Sequence, residues 1–413
     1  MAQHPALTRM RSLLANPQKG TLARAVRGSV LQQRSRRPLQ LEEHLDATYG
    51  WLCAAQDSSD DGGVAGWFDL LKGRWTPSYP ETTGYIIPTL LALAEARSDP
   101  QARERALRMA DWESDIQMED GAVLSSVLGA ERGPAVFNTG QALFGWIAAL
   151  QASGDERYAQ SARAAGNWLI ENQDDDGAWR KNLSMVTSAP VHTYNNRCAW
   201  ALAYAATVLG EDRFAQAAHR NSEWALAQQN EAGWFEHTGF TPVDVPLLHT
   251  ISYVIEGLLG VYAFTAETRY LEAARRALDA MVEVYRAGRL AGCLDSSWRG
   301  TVSWRCVTGD AQIAVVLLRL APSFPDAGYA EVARRLIEDV ARMQLRVAPS
   351  APSSDQRAPR RDPAIGAVPG SFPVWGKYMR LAFPNWAAKF YLDALLLEVC
   401  GVDEKSFPGL PPR

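Results

Sequence analysis

Residues 157–179 read RYAQSARAAGNWLIENQDDDGAW. Two features of this stretch recur along the chain. Trp168 stands five residues before Gln173, and Gly177 follows. Trp51, Trp112 and Trp224 precede Gln56, Gln117 and Gln229 by the same five residues, with Gly62, Gly121 and Gly233 after them. The steps between these tryptophans are 61, 56 and 56 residues. A fixed period of several tens of residues marks an array of stacked supersecondary units. The second feature is the aromatic opening. Tyr158 and Phe214 lie ten residues before Trp168 and Trp224, and the same phrase returns at Tyr270 and Tyr329. There the tryptophan register falls on Ala280 and Asp339, and the glutamine register on Tyr285 and Gln344. The spacing therefore predicts six units.

Each unit carries two helical stretches of different character. The first, as in residues 157–173 and in RYLEAARRALDAMVEVY at 269–285, places apolar residues three and four apart with Arg and Glu between them. Such a helix has one wet face. The second is apolar nearly all round, as in GQALFGWIAALQA, CAWALAYAATVLG, ISYVIEGLLGVYAF, AQIAVVLLRLA and WAAKFYLDALLLEVC. A helix without a polar face is buried on all sides. Alternation of the two predicts an all-α (α/α)6 toroid over residues 41–413, with an amphipathic outer ring and an apolar inner ring.

Loop lengths orient this ring. Links from inner to outer helix are short, as at 153–156 and 210–213. Links from outer to inner helix are long: 57–81, 118–137, 174–193, 230–248, 288–307 and 345–383. All the long loops must share one end, together with the N-termini of the inner helices. Long loops on a rigid scaffold concentrate binding residues. Helix N-termini offer partial positive charge and free N–H groups, so an anionic or oxygen-rich ligand is expected there.

Bulk properties narrow the function. A net charge of −4 gives no global bias towards nucleic acid. No apolar run reaches about 18 residues, the length of a membrane span. Five scattered cysteines without a C-x-x-C pair suit a reducing compartment, and a cytoplasmic location is expected. Residues 1–40 form a basic arm with eight Lys/Arg and no Asp or Glu, expected to be disordered or loosely docked. The sharper reading of the arm is contact with an anionic partner or membrane surface. A Pro/Arg-rich stretch at 346–370 reads as an insertion or mobile lid.

The starts of the inner helices supply the candidate site. They hold Glu81, Thr82, Thr83 and Tyr85; Asn138, Thr139 and Gln141; His192, Tyr194, Asn195 and Arg197; His249 and Tyr253; Thr308, Asp310 and Gln312; Asn385 and Lys389. Asn138, Thr308 and Asn385 would serve equally as helix caps. Arg197 has few structural uses, since a guanidinium inside a barrel needs a carboxylate or an anionic ligand. The long loops add Trp67, Trp75, Tyr79, Trp179, Trp234, Trp298, Trp304, Trp375 and Tyr378. Flat rings with polar edges suit stacking on sugars. No phosphate-binding glycine loop, H-E-x-x-H or G-x-S-x-G is present, and QDDDG at 173–177 reads as a turn. Neither a metal nor a cofactor is expected.

The paired-helix frame and the QDDDGAW turn resemble the six-hairpin glycosidase-like toroid proteins, with their relatives among polysaccharide lyases and uronyl C5-epimerases. TTGYIIPTLL, VFNTGQALFGW, HTISYVIEGLLG and GSFPVWGKYMRLAFPNWAAKFYLDALL look like segments of bacterial members associated with exopolysaccharide biosynthesis. The resemblance implies a carbohydrate-active enzyme working on an acidic or polyhydroxylated glycan. Two mechanisms follow. In a hydrolase, Asp310 and Glu81 would be the acid and base. In a lyase or C5-epimerase, Tyr194 or His249 would take the proton and Arg197 would neutralise the substrate carboxylate. The wealth of Tyr, His, Asn and Arg favours the second. In both, Tyr85, Asn138, Gln141, Asn195, Tyr253, Gln312, Trp179, Trp234, Trp304, Trp375, Tyr378, Asn385 and Lys389 would bind substrate. Terpene cyclases and prenyltransferases share the toroid, but the chain lacks D-x-D-D and a recognisable zinc signature. Such an enzyme would need an apolar, aromatic pocket deep inside. A non-catalytic glycan-binding assembly protein is the third reading.

Overall fold

The computed structural model of the chain describes residues 17–31, 40–130, 133–184, 187–345 and 363–401. Among them are thirteen α-helices. α1 is Pro17–Leu31 and α2 is Leu41–Gln56. α3 (Pro80–Arg97), α4 (Pro100–Asp115), α5 (Val136–Ser153) and α6 (Glu156–Glu171) follow. Then come α7 (Asn196–Leu209), α8 (Asp212–Ala227), α9 (Leu248–Thr265) and α10 (Thr268–Arg286). α11 (Val307–Leu320), α12 (Tyr329–Met343) and α13 (Asn385–Val399) complete the set. Among the described residues, no helix is long and apolar enough to cross a membrane.

The two helix types fall where the hydrophobic pattern puts them. α10 buries Tyr270, Ala273, Ala274, Ala277, Leu278 and Met281, an i, i+3, i+4 stripe. α5 buries every residue from Val136 to Ala149. α3, α5, α7, α9, α11 and α13 each pack against the next, and α13 returns to α3, so the inner ring is closed. Each inner helix also packs on its hairpin partner outside, and α2 packs on α13. This is the (α/α)6 toroid. Short back-side links rely on local chemistry. α5 and α7 end at Gly154 and Gly210, with φ of 72° and 70°. Asp155 caps α6 by accepting from the Arg157 N–H.

The glutamine–glycine repeat is a staple between units. The Gln173 side-chain amide donates to Gly177 O at 3.0 Å and to Ala217 O of the next outer helix at 2.9 Å. Gln56 bonds Gly62 and Arg105, Gln117 bonds Gly121 and Ser161, and Gln229 bonds Gly233 and Ala273 in the same way. Gln344 reaches Gly366 O at 2.9 Å and Thr48 Oγ1 at 2.8 Å, joining the last outer helix to the first. The glycines are obligatory on two grounds. Gly177 has φ of 89°, and a Cβ there would sit 2.3 Å from Arg220 O.

The long loops do share one end, and they are tied into a rim. Leu128 N donates to Ser78 O, Val136 N to Asn182 O, Thr193 N to His237 O, and Leu248 N to Gly292 O. Val307 N donates to Gly370 O, and β1 (Trp67–Asp69) pairs with β5 (Ala382–Pro384). β2 (Arg74–Trp75) extends that sheet, and β3 (Arg305–Cys306) pairs with β4 (Ser371–Phe372). This rim corrects one expectation. The first N–H groups of α5, α9, α11 and α13 go to carbonyls of adjoining loops, Asn385 N to Gly66 O being the last. That first N–H of each of these helices is therefore not free for an anion.

Two segments also differ from expectation. The middle of the basic arm is α1, which buries Thr21, Ala25 and Ser29 on one face. Ser29 Oγ accepts from Val374 N at 3.1 Å, tying α1 to the sixth long loop. The rest of the arm, and its expected anionic contact, lie outside the described residues. Of the stretch 346–370, residues 363–370 belong to the repeat turn around Gly366, while 346–362 also lie outside.

Candidate active site

Within the rim, side chains from several inner helices and loops form a contiguous cluster of rings, called the cup below. Trp386 lies 6.4 Å from Trp67 and 6.3 Å from Tyr79, centroid to centroid. Its indole N–H donates to Tyr378 OH at 2.7 Å. The wall continues from Tyr378 to His249 at 5.5 Å, and from His249 to Tyr253 at 4.3 Å. It then passes from Tyr253 to Phe137 at 4.9 Å, to Tyr194 at 5.4 Å, and to His192 at 4.4 Å.

Glu81 is the carboxyl of this cup. It sits in the first turn of α3, half-buried, and accepts a short hydrogen bond from the Tyr79 hydroxyl. Burial pushes its pKa up to about 7, against the opposing pull of that bond and of the Arg197 charge. It is thus poised to carry or release a proton near neutrality. Burial, then the Glu81 charge, holds the Tyr194 and Tyr253 phenols well above their usual range. Tyr194 therefore stays protonated at neutral pH. His249 is the reverse case. Burial drives its pKa down to about 3, so the ring is a neutral imidazole. Its Nδ1 meets Gln312 Oε1 at 2.6 Å. His192 is likewise held neutral by burial, at about 4, and its Nε2 lies 2.7 Å from Thr187 Oγ1.

Beneath the cup lies a charged floor. Arg197 forms a buried ion pair with Glu256, and its Nε donates to Gln141 Oε1 at 2.8 Å. The guanidinium is also caged by rings, with Trp200 at 5.1 Å, Tyr253 at 5.2 Å and Phe144 at 5.4 Å. Lys389 pairs with Asp393 at 2.6 Å, and Asp393 also accepts from Thr89 at 2.7 Å. These groups, with Tyr85 and Arg319, surround a cavity of about 30 Å³, room for one or two waters.

Several expected site residues are thus reassigned. Arg197 and Lys389 are matched floor charges, and Gln141 serves Arg197. Asp310 is fully buried and faces the outer ring, where Arg305 holds it at 3.1 Å and also approaches Asp339 at 3.7 Å. Burial raises its carboxyl to about 6 against that pairing. Trp179 is buried and donates to Leu169 O at 2.9 Å. Trp234 packs on Trp298 at 5.1 Å, whose own N–H is bonded to Ala232 O. Neither Trp179 nor Trp234 has a free face for a sugar. Asn385 is a strut to Ala65 O and Thr82, and Asn138 a strut to Leu124 O. Asn195 is buried beside the cup, with its side-chain N–H groups unpartnered. Trp304 packs against Gly292 and Gly376 below the rim, while Trp375 is exposed on the sixth loop. The cup keeps Glu81, His249, Tyr253, Tyr194 and Tyr378, with Tyr85 between cup and floor.

Sequence reasoning missed Glu256, Arg319 and Asp393. Their signal was present: a charge within an apolar helix must be matched. Trp386 and Phe137 gave none, because aromatic residues in an apolar helix read as packing. One cluster of metal-ligand type, His219, Glu223 and Glu267, lies among the described residues. Its donors are already engaged, since Arg269 pairs with both glutamates and Tyr270 OH contacts His219 and Glu223.

No family model matches the sequence, and no curated protein matches it. Solved structures do. An unsaturated glucuronyl hydrolase specific for heparin aligns with a TM-score of 0.66 at 17% identity, over 86% of this chain and 95% of its own. The unsaturated glucuronyl hydrolase of Bacillus sp. GL1, which degrades glycosaminoglycan, aligns with 0.66 at 16%, over 89% and 99%. Cellobiose 2-epimerase of Bacillus thermoamylovorans aligns with 0.61 at 11%, over 86% and 97%. The likeness is one of fold: the (α/α)6 toroid is shared over 86–89% of this chain.

Proposed function

We propose that the protein is a carbohydrate-active enzyme that transfers protons on a polyhydroxylated sugar held in the aromatic cup. The observation that carries this reading is the pairing of Glu81, poised at about 7, with a neutral His249 in one aromatic-walled site. His249 accepts a proton from a carbon next to a carbonyl, while the Glu81 carboxyl gives its proton to the carbonyl oxygen. Return of a proton to the carbon epimerises it, and loss of a leaving group completes an elimination. General acid–base groups of this kind contribute about 10²–10⁴-fold each.

The floor refines the substrate. Arg197 is already neutralised by Glu256, so a uronate carboxylate loses the clamp the sequence suggested, and a neutral sugar fits better. A hydrolytic reading keeps Glu81 as the acid, but Asp310 is turned away and no second carboxyl joins the cup among the described residues. A polyprenyl-type substrate is disfavoured by the charged floor, which would have to lie against hydrocarbon. We place the substrate among the glycans of exopolysaccharide biosynthesis or processing, on the strength of the sequence resemblance. A non-catalytic glycan-binding role predicts binding without exchange.

The test is incubation with a panel of reducing sugars and oligosaccharides in deuterated water. Wild-type protein should incorporate deuterium next to the carbonyl. Glu81→Gln should lose about 10²–10⁴-fold in rate with its melting temperature kept. Binding of sugars without exchange or product by the wild type would overturn the enzymatic reading.

A further inference from the structure

His249 has one side-chain hydrogen bond among the described residues, to Gln312 on the neighbouring inner helix α11. Gln312 was expected to bind substrate, yet it is fully buried and its Oε1 is turned onto the imidazole. An amide oxygen only accepts, so the proton between the two atoms belongs to His249 Nδ1. The opposite ring nitrogen is then unprotonated. It lies across the ring from the Gln312 contact, and the Tyr253 and Tyr378 rings stand 4.3 and 5.5 Å from the imidazole.

We infer that Gln312 is a positioning residue that fixes His249 as the Nδ1–H tautomer and presents Nε2 to the cup as the proton acceptor. This inference rests on the proton-transfer reading above for its functional meaning, but not for its geometry. The choice of amide matters. A carboxylate at the same position would accept from Nδ1–H more strongly, and it would stabilise the imidazolium. The Gln312 amide instead leaves its own N–H groups buried without a partner. A neutral acceptor thus orients the ring without charging it.

The surroundings agree. Tyr253 on its own helix and Tyr378 from the sixth loop are protonated phenols. The Cys306 thiol beside the His249 backbone is held protonated by burial. Phe390 of α13 is apolar, and its neighbour Lys389 is paired with Asp393. Arg197 of α7 opposes a positive ring.

The test is long-range proton–nitrogen NMR on protein labelled with ¹⁵N-histidine. The chain has 6 histidines, and the His249 signals are those lost in His249→Asn. The wild type at pH 7 should show Nδ1–H with Nε2 unprotonated. Gln312→Leu should show a mixture of tautomers. Gln312→Glu should keep His249 as imidazolium to pH 7, with sugar proton exchange down tenfold or more there and recovering at higher pH. An Nε2–H tautomer in the wild type would overturn the inference, as would the wild-type tautomer persisting unchanged in Gln312→Leu. The wild-type spectrum needs no variant to fold. An Nδ1–H tautomer in a protein that exchanges no sugar proton would sustain the geometry and sink only the reaction.

Discussion

The cup and the floor lie a few helical turns apart on the same inner helices, yet they treat ionisable groups in opposite ways. In the floor each described carboxylate meets a cation: Glu256 takes Arg197 and Asp393 takes Lys389. In the cup no cation pairs with Glu81, which instead has a phenol and a pKa near neutrality, while His249 is neutral with an amide. Matched charges hold their protonation state against changes in pH and lock helices together. Unmatched groups can exchange protons. The contrast separates what the barrel needs in order to stand from what it offers to a ligand.

The contrast is broken most directly by removing half of a floor pair. Glu256→Leu leaves Arg197 buried without its carboxylate and should lower stability by about 3–5 kcal/mol. The double variant Arg197→Met/Glu256→Leu should recover much of that. Chemical denaturation of the three proteins checks both, and a single variant as stable as wild type would mean that the floor is not structural. Arg197→Ala should therefore lower the melting temperature, as befits a matched floor charge rather than a clamp on a substrate carboxylate.

A smaller effect is expected in the outer staple. Gln229→Ala removes three hydrogen bonds, those it donates to Gly233 O and Ala273 O and the one it accepts from Arg276, a loss of about 1–3 kcal/mol. The rate of sugar proton exchange should not change, because the staple lies outside the inner ring. A lower rate with unchanged stability would couple scaffold to site.

The smallest effect sharpens the rule that unmatched groups mark function. Glu113 on α4 is fully buried and meets no charged group, only the Gly84 backbone, and it lies away from the cup. Burial raises its pKa well above the ordinary carboxylate value, so it is protonated in the fold. The unfolded chain releases that proton above about pH 4.3, so stability falls as pH rises beyond that point. Glu113→Gln should remove this slope, so that its stability relative to wild type rises from pH 5 to pH 8, with activity unchanged. Melting curves at the two pH values decide it.

The scaffold was legible because its determinants are periodic. The Trp–Gln–Gly spacing is a local covalent fact, and the staple it encodes repeats in the same geometry at Gln56, Gln117, Gln173 and Gln229, with Gln344 varying it by reaching the Thr48 hydroxyl. The site was only partly legible because direction around a helix changes by about 100° per residue. Tyr253 and His249 face the cup, whereas Asp310, also in a first turn, faces the outer ring. Depth was misread at Arg197. A 3-10 turn at Thr193–Asn195 occupies the level where other inner helices begin, so α7 starts lower. Arg197 consequently sits beside Tyr85, Phe144 and Glu256, each several residues into its own helix.

The bond from Gln344 to Thr48 and Gly366 has a thermodynamic meaning. In a linear stack of repeats, a terminal unit can peel away by breaking a single boundary, so the ends fray and partly folded states are populated. Here each hairpin has a neighbour on both sides. Detaching any one breaks two boundaries at once and opens the central cavity to water. The array behaves like a chain of coupled spins with periodic boundary conditions, in which the first defect is the most expensive one. All-or-none melting follows from that topology, whatever the strength of any single contact.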